Sequence, residues 1–292
     1  MKAFLERYYS DVARHLGDPN AAARYSKADR LTDLHNIDSR VFEDFLNCSP
    51  DQSMVGFAEA PITLQNGVSF YKFPAGFRNF LQLEKRVTFT SETLIGTRVD
   101  QILRSKNFYT PATSGRWVDV ITASKGFRLN PAPVLAADEE WTLIFNRSPG
   151  MLHYAIASAI GSQSLTTGTP PVDAGEVITV PNYYNGLEIN VFSEEGGSVQ
   201  SNWVHNSTVS NGRVVFQLKY PWNPKPRGEV WYEVMPTLPY PYDALYALDA
   251  SLLVLDQRER PGKAISLTRH RGALWSQAQK YFQSNVSDRG PT

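Results

Sequence analysis

"LGDPNAAARYSKADRLTDLHNIDS", Leu16 to Ser39, is where one amphipathic helix stops and a second one begins. Upstream of it, Leu5, Tyr8, Tyr9, Val12 and Leu16 recur at spacings of three and four, one face of a helix over residues 3–16. Gly17 supplies the left-handed conformation that ends this helix, and Pro19 forbids its continuation. Ser26 is placed to cap the next helix, and Asp29 stands where a capping box prefers Glu or Gln. Leu31, Leu34, Ile37, Val41, Phe42 and Phe45 then line the second helix until Pro50 of "NCSPDQ" breaks the pattern.

Beyond about residue 53 the texture becomes β-like. "ITLQNGVSFYKFPAGFRNFLQLEKRVTF" offers two or three short strands, with Asn66-Gly67 as a hairpin signal. Further strands are predicted at "RWVDVIT", "GFRLNPAP", "EWTLIFNRSP", "GEVITVP", "LEINVFSE", "GRVVFQLKYP" and "GEVWYEVMP", separated by Pro- and Gly-rich spacers such as "TTGTPPVDAG" and "PWNPKPRG". After "PTLPYPYD" the helical period returns with Leu245, Leu248, Leu252 and Leu255. Pro261-Gly262 is read as a break, and a last helix is predicted from Ala264 to Gln283. Apolar stripes at both ends of the chain need burial partners. The simplest solution is an α+β protein: a discontinuous bundle of the N- and C-terminal helices, carrying an inserted antiparallel β-sandwich region. The expected division is 1–52 with 237–292 for the bundle and its C-terminal arm, 53–160 for a β-domain, and 161–236 for a second β-rich insertion.

The 292 residues are 42% hydrophobic and 20% charged, as in ordinary globular proteins. Lys plus Arg equals Asp plus Glu at 29 each, so no global field draws in nucleic acid or membrane, which argues against a protein whose main task is gripping phosphates. Cys48 is the one cysteine, excluding an intrachain disulfide and a cysteine-rich zinc site. The charged opening has no apolar run like a signal peptide's core, and no segment approaches a membrane span. Folding in a reducing cytoplasm is expected, which makes the Asn-x-Ser/Thr triplets at Asn47, Asn146, Asn206 and Asn285 chance occurrences.

Signatures of chemistry are sparse. His15, His35, His153, His205 and His270 are scattered, and no nucleophile-elbow, phosphate-loop or dinucleotide motif occurs. Glu140 with Glu194 or Glu195 offers a glycosidase-like acid and base, against the blander reading of solvated turns at strand ends. Among Tyr183, Tyr184, Trp203, Trp222 and Trp231, the last reads as core. Trp203 and Trp222 lie in polar or Pro-rich surroundings and are the candidates for surface stacking on a sugar or base. Arg269, His270, Arg271 and Lys280 form either a phosphate-contacting face or a solvated helix face. These residues argue for no enzyme, no cofactor and no metal.

Taken in order, four stretches resemble the head-to-tail adaptor (connector, or neck) proteins of tailed bacteriophages: the opening Leu16–Leu34, "ITLQNGVSFYKFPAGFRNFLQLEKR", "FRLNPAPVLAADEEWTLIFNRSPGML", and "MPTLPYPYDALYALDASLLVL". The match covers roughly residues 1–155 and 230–285; "KFPAGF" departs from the family's Leu-Pro-Asp corner, and Gly161–Glu233 has no counterpart. The resemblance implies a non-enzymatic virion protein. It would form an oligomeric ring, commonly a dodecamer, that joins the portal to a tail or nozzle protein and gives passage to the genomic DNA. It implies a location in the virion neck after synthesis in the host bacterial cytoplasm, with no membrane partner. It also implies portal binding by a C-terminal arm, here Tyr281, Phe282, Asn285, Val286 and Arg289. The competing reading is a carbohydrate- or receptor-binding β-module of a phage tail, using Trp203 and Trp222.

Overall fold

Helix α1 (Phe4–Leu16) buries Leu5, Tyr8, Tyr9, Val12 and Leu16, the stripe expected of it, together with Phe4. It ends at Gly17, which has φ +62° and donates its N–H to the carbonyls of Ala13 and Arg14 at 3.1 Å. Helix α2 (Lys27–Cys48) starts with the expected cap. Ser26 Oγ accepts the Asp29 N–H at 3.1 Å and donates to Asp29 Oδ2 at 2.6 Å. The computed structural model describes residues 4–17, 25–48, 56–90, 95–103, 117–121, 125–171, 174–193, 199–257 and 261–284. Pro19, Pro50, Glu194 and Glu195 lie outside these residues, as do Asn285, Val286 and Arg289 of the expected arm.

At the other end, α3 (Ala244–Gln257) buries Leu245, Tyr246, Leu248 and Leu255, with Ala247 and Ala250 as small contact residues. Helix α4 (Pro261–Ser284) opens at Pro261 rather than after it. A proline in the first turn has no N–H to leave unsatisfied and a preset φ, so the dipeptide read as a break is the helix start. Among the described side chains of α4, Leu267, Ala278 and Phe282 are buried, with Leu274 and Trp275 half-buried.

The chain divides into two compact units, residues 1–56 with 148–292 and residues 57–147. In the first unit, β8 (Tyr154–Ile160), β9 (Ser164–Thr167), β10 (Glu188–Ser193), β11 (Gln200–Ser210), β12 (Arg213–Leu218) and β13 (Val230–Val234) form a closed antiparallel barrel in the order β10-β11-β12-β9-β8-β13. Closure removes the open edges that a sandwich would leave. Tyr184, Phe216 and Tyr232 are fully buried in it beside His153, with edge-on ring contacts of 5.0–5.7 Å. The stretch "GEVITVP", expected as a strand, is irregular and passes into a turn. Strands β8, β9 and β11 were hidden by small or polar sequences such as "YAIASAI" and "QSNWVHNSTVS". Helix α3 packs against α1, α2 and α4, so helices from the two ends of the chain meet, and the four helices and the barrel contribute to one buried cluster.

The second unit holds a four-stranded sheet, β1 (Phe57–Leu64), β7 (Glu139–Arg147), β3 (Phe77–Thr90) and β4 (Ile95–Leu103), in that spatial order. A three-stranded sheet has the order β2 (Phe70–Lys72), β6 (Gly126–Asn130), β5 (Trp117–Ile121). Leu64, Phe80, Leu83, Trp141, Leu143 and Phe145 of the first sheet share one cluster with Tyr71, Val118, Phe127 and Leu129 of the second. Asn66-Gly67 turns the chain but makes no hairpin, because β1 pairs with β7 while β2 pairs with β6. The corner is held instead by Gly67 N–H to Pro133 O at 2.8 Å and by Asn66 Oδ1, which accepts Leu135 N–H at 3.0 Å. The chain as a whole is mixed α and β.

Candidate functional site

Buried acids tie the helices to the barrel and fix where the last helix ends. Glu233, on β13, accepts the backbone N–H of Phe4 at the start of α1, a cap supplied from the far end of the sequence. Burial pushes its carboxyl up to about 7, against the lowering effects of that N–H, Asn190 and Arg7. Arg7 reaches Asp243 at 3.0 Å, and burial raises the Asp243 carboxyl as well. Asp38 of α2 accepts Tyr246 O–H at 2.6 Å and Thr237 N–H at 3.1 Å through Oδ1, and burial raises it to about 6. Asp249 of α3 collects Arg40 at 2.8 Å and Arg271 of α4, which also lies 5.0 Å over the Trp275 ring.

These ties bring the end of α4 into an aromatic patch. Phe45 stacks on Trp275 at 4.7 Å and meets Phe282 at 5.1 Å, so Phe282 is a buried anchor. Tyr281, one residue earlier, is 40% exposed and lies 5.2 Å from Tyr242. Tyr240 is 75% exposed, with the Arg7 guanidinium 5.9 Å over its ring. Tyr281, exposed near the C-terminal end of α4, thus packs beside the half-buried Tyr242, and Tyr240 stands exposed two residues before Tyr242. The clue in the sequence was "PYPYD": aromatics alternating with prolines cannot be the apolar stripe of a helix, which leaves them free to face outward.

The other candidates separate. Trp222 is only 8% exposed and belongs to the barrel core, so it presents no face to a ligand; its Pro-rich flanks had suggested surface. Its backbone N–H donates to Ser162 O at 3.3 Å, drawing the segment down onto the β8–β9 turn. Trp203 is half-buried on β11. Glu140 is exposed at the start of β7, whereas Glu139 bonds Trp141 Nε1 at 2.9 Å and Lys85 at 3.1 Å. His153 is buried against Tyr232 O–H at 3.2 Å and pushed down to about 4 by burial. His35 Nε2 accepts Leu152 N–H at 3.2 Å, while His205 and His270 are exposed. Of the cations of "RHRGALWSQAQKY", Arg271 is engaged by Asp249, and Arg269 and Lys280 are exposed.

Among the described residues, no group of three or more His, Cys, Asp or Glu side chains is placed to hold a metal, and no helix is long and apolar enough to cross a membrane. No family model, no curated protein and no solved structure matches the chain.

Proposed function

We propose that this chain is a structural virion protein, a head-to-tail adaptor that forms a ring between the portal and the tail of a bacteriophage. One observation carries the reading furthest: helices from the two ends of the chain share one core, and that core holds the end of α4, where Tyr281 is exposed beside Tyr242. In this reading the four helices serve as the adaptor's bundle, and the two-sheet unit serves as its β-sandwich. Tyr281 and the residues after it, among them Asn285, Val286 and Arg289, dock on the portal, while Phe282 anchors the root of the arm. The work is assembly and DNA passage in the virion neck, without catalysis.

Electron microscopy of the protein alone and mixed with its portal tests the reading. Rings, or monomers that become rings on adding portal, are expected. Deleting residues 284–292 is expected to weaken docking while leaving the circular dichroism spectrum and unfolding midpoint unchanged. Docking that survives the deletion removes the arm from the proposal, and absence of any ring under either condition overturns the proposal itself.

The exposed tyrosines also favour a second reading, a carbohydrate- or receptor-binding module, now resting on Tyr240 and Tyr281 rather than on Trp222. Glycan-array binding that disappears on Tyr240→Ala and Tyr281→Ala distinguishes it; an array without signal counts against it.

A further inference from the structure

Two loops, one in each unit, hold an apolar side chain outward by fastening the backbone on both sides of it. In the barrel unit, Asn202 bonds both main-chain groups of Tyr220, giving Nδ2 to the carbonyl at 2.9 Å and accepting the N–H at 3.2 Å. Gln163 holds Leu218 O at 2.7 Å, Gln200 holds Pro224 O at 2.7 Å, and Ser193 holds Arg227 O at 2.6 Å. Trp222 is buried beneath as an anchor. The loop cannot fold Tyr220 inward, and the ring stays 53% exposed. From Lys219 to Gly228 the sequence has three basic residues, Lys219, Lys225 and Arg227, and no acidic one. Lys225 and Arg227 are exposed.

In the two-sheet unit, Pro133 O is held by Gly67 N–H and Leu135 N–H is held by Asn66, so Val134 between them stands 82% exposed. The segment 130–140 that carries it has three acidic residues, Asp138, Glu139 and Glu140, and no basic one. Asp138 and Glu140 are exposed. Each loop is therefore a preorganised tip carrying exposed charges of one sign, Lys225 and Arg227 on the first and Asp138 and Glu140 on the second, while Glu139 is paired with Lys85 and Glu229 follows the basic segment. Rigid tips lose little entropy on docking, and opposite flanking charges fix register and exclude like-with-like pairing.

We propose that these loops are the two halves of a head-to-tail contact between copies of this chain, with the Tyr220 loop of one copy seated on the Val134 loop of the next. A heterologous contact of this kind needs two different complementary surfaces on each protomer, and this pair supplies them. The inference rests on the ring-forming reading and names the surfaces that close the ring.

The test is a charge exchange read by sedimentation velocity and electron microscopy, on the full chain alone and on the portal. K225E/R227E reverses one loop and D138K/E140K the other. Each variant by itself is expected to weaken self-association at least roughly tenfold. Mixing the two is expected to restore assembly, since each reversed loop then meets its opposite on the other variant. All four substitutions are on exposed side chains, and unchanged thermal midpoints check that folding is intact. Wild-type rings that persist in both single-loop variants overturn the contact and leave the ring reading standing. Loss in each variant without rescue on mixing also overturns it. Portal binding lost while self-association persists assigns the loop to a different protein and rejects a second copy as the occupant. A wild-type chain that stays monomeric both alone and with portal overturns the contact and the ring reading together.

Discussion

Asp38 shows how one side chain sets a measurable pH response. Burial, with Oδ2 left without a partner, raises its carboxyl, and the two hydrogen bonds that Oδ1 accepts from Thr237 N–H and Tyr246 O–H oppose the shift only in part. Its folded pKa, about 6, lies above the ordinary value of 3.8. The folded state therefore binds more protons than the unfolded chain between those values, and its contribution to stability falls as pH rises through that window. Asp38→Asn keeps the Oδ1 acceptor and cannot ionise. Urea unfolding at pH 4.5 and pH 7.5 is expected to show the wild type losing roughly 2 kcal/mol relative to the variant across the interval. His153 acts in the opposite sense: its folded pKa of about 4 lies below 6.5, so its contribution is lost as pH falls. Because His153 is common to both chains, it cancels in the comparison. No local pattern distinguished Asp38 from the solvated acids of α2, since its burial comes from Thr237 and Tyr246 about two hundred residues away.

At the scale of elements, α4 is held by few buried residues, by the Arg271–Asp249 pair and by aromatic contacts of Trp275 and Phe282 with Phe45. Phe45 meets both Trp275 and Phe282, so Phe45→Ala removes the shared surface. A core Phe→Ala change costs about 3–5 kcal/mol. The expected result is a loss at the lower end of that range, with increased quencher access to Trp275 and faster hydrogen exchange in α4 than in α3. Unchanged exchange in α4 would show that Leu267 and Ala278 alone suffice to dock it. The helices themselves were legible in sequence because their stripes, the Gly17 stop and the Ser26 cap are local. Strands β8, β9 and β11 were not, because small and polar residues are tolerated wherever barrel neighbours supply the burial.

For the whole molecule, two separate buried clusters in two compact units imply that unfolding is not a single event. Scanning calorimetry is expected to resolve two transitions. Phe145→Ala, which hollows the cluster of the two-sheet unit, is expected to lower one and leave the other within about a degree, as distant sites act independently. One transition that shifts as a whole would mean the units unfold as one. The charge exchange between the Tyr220 and Val134 loops belongs to this scale too, because its readout is assembly rather than stability.

The sequence by itself determined the course of the helices, the Gly17 stop and the Ser26 cap, and the placing of β-structure between helical ends, because these depend on spacings of a few residues and on glycine and proline chemistry. Only the tertiary structure decided which strands pair. Asn66-Gly67 and Asn211-Gly212 are the same dipeptide. The second joins β11 to β12 in a two-residue hairpin, with both residues at positive φ and Ser210 facing Arg213. The first hands the chain from one sheet to another, because Pro133 and Leu135 take its hydrogen bonds. Trp222 divides in the same way: its proline neighbours said surface, and the barrel core buried it. A turn signal fixes the local bend, whereas strand partners and burial follow from contacts between residues that the sequence does not place side by side.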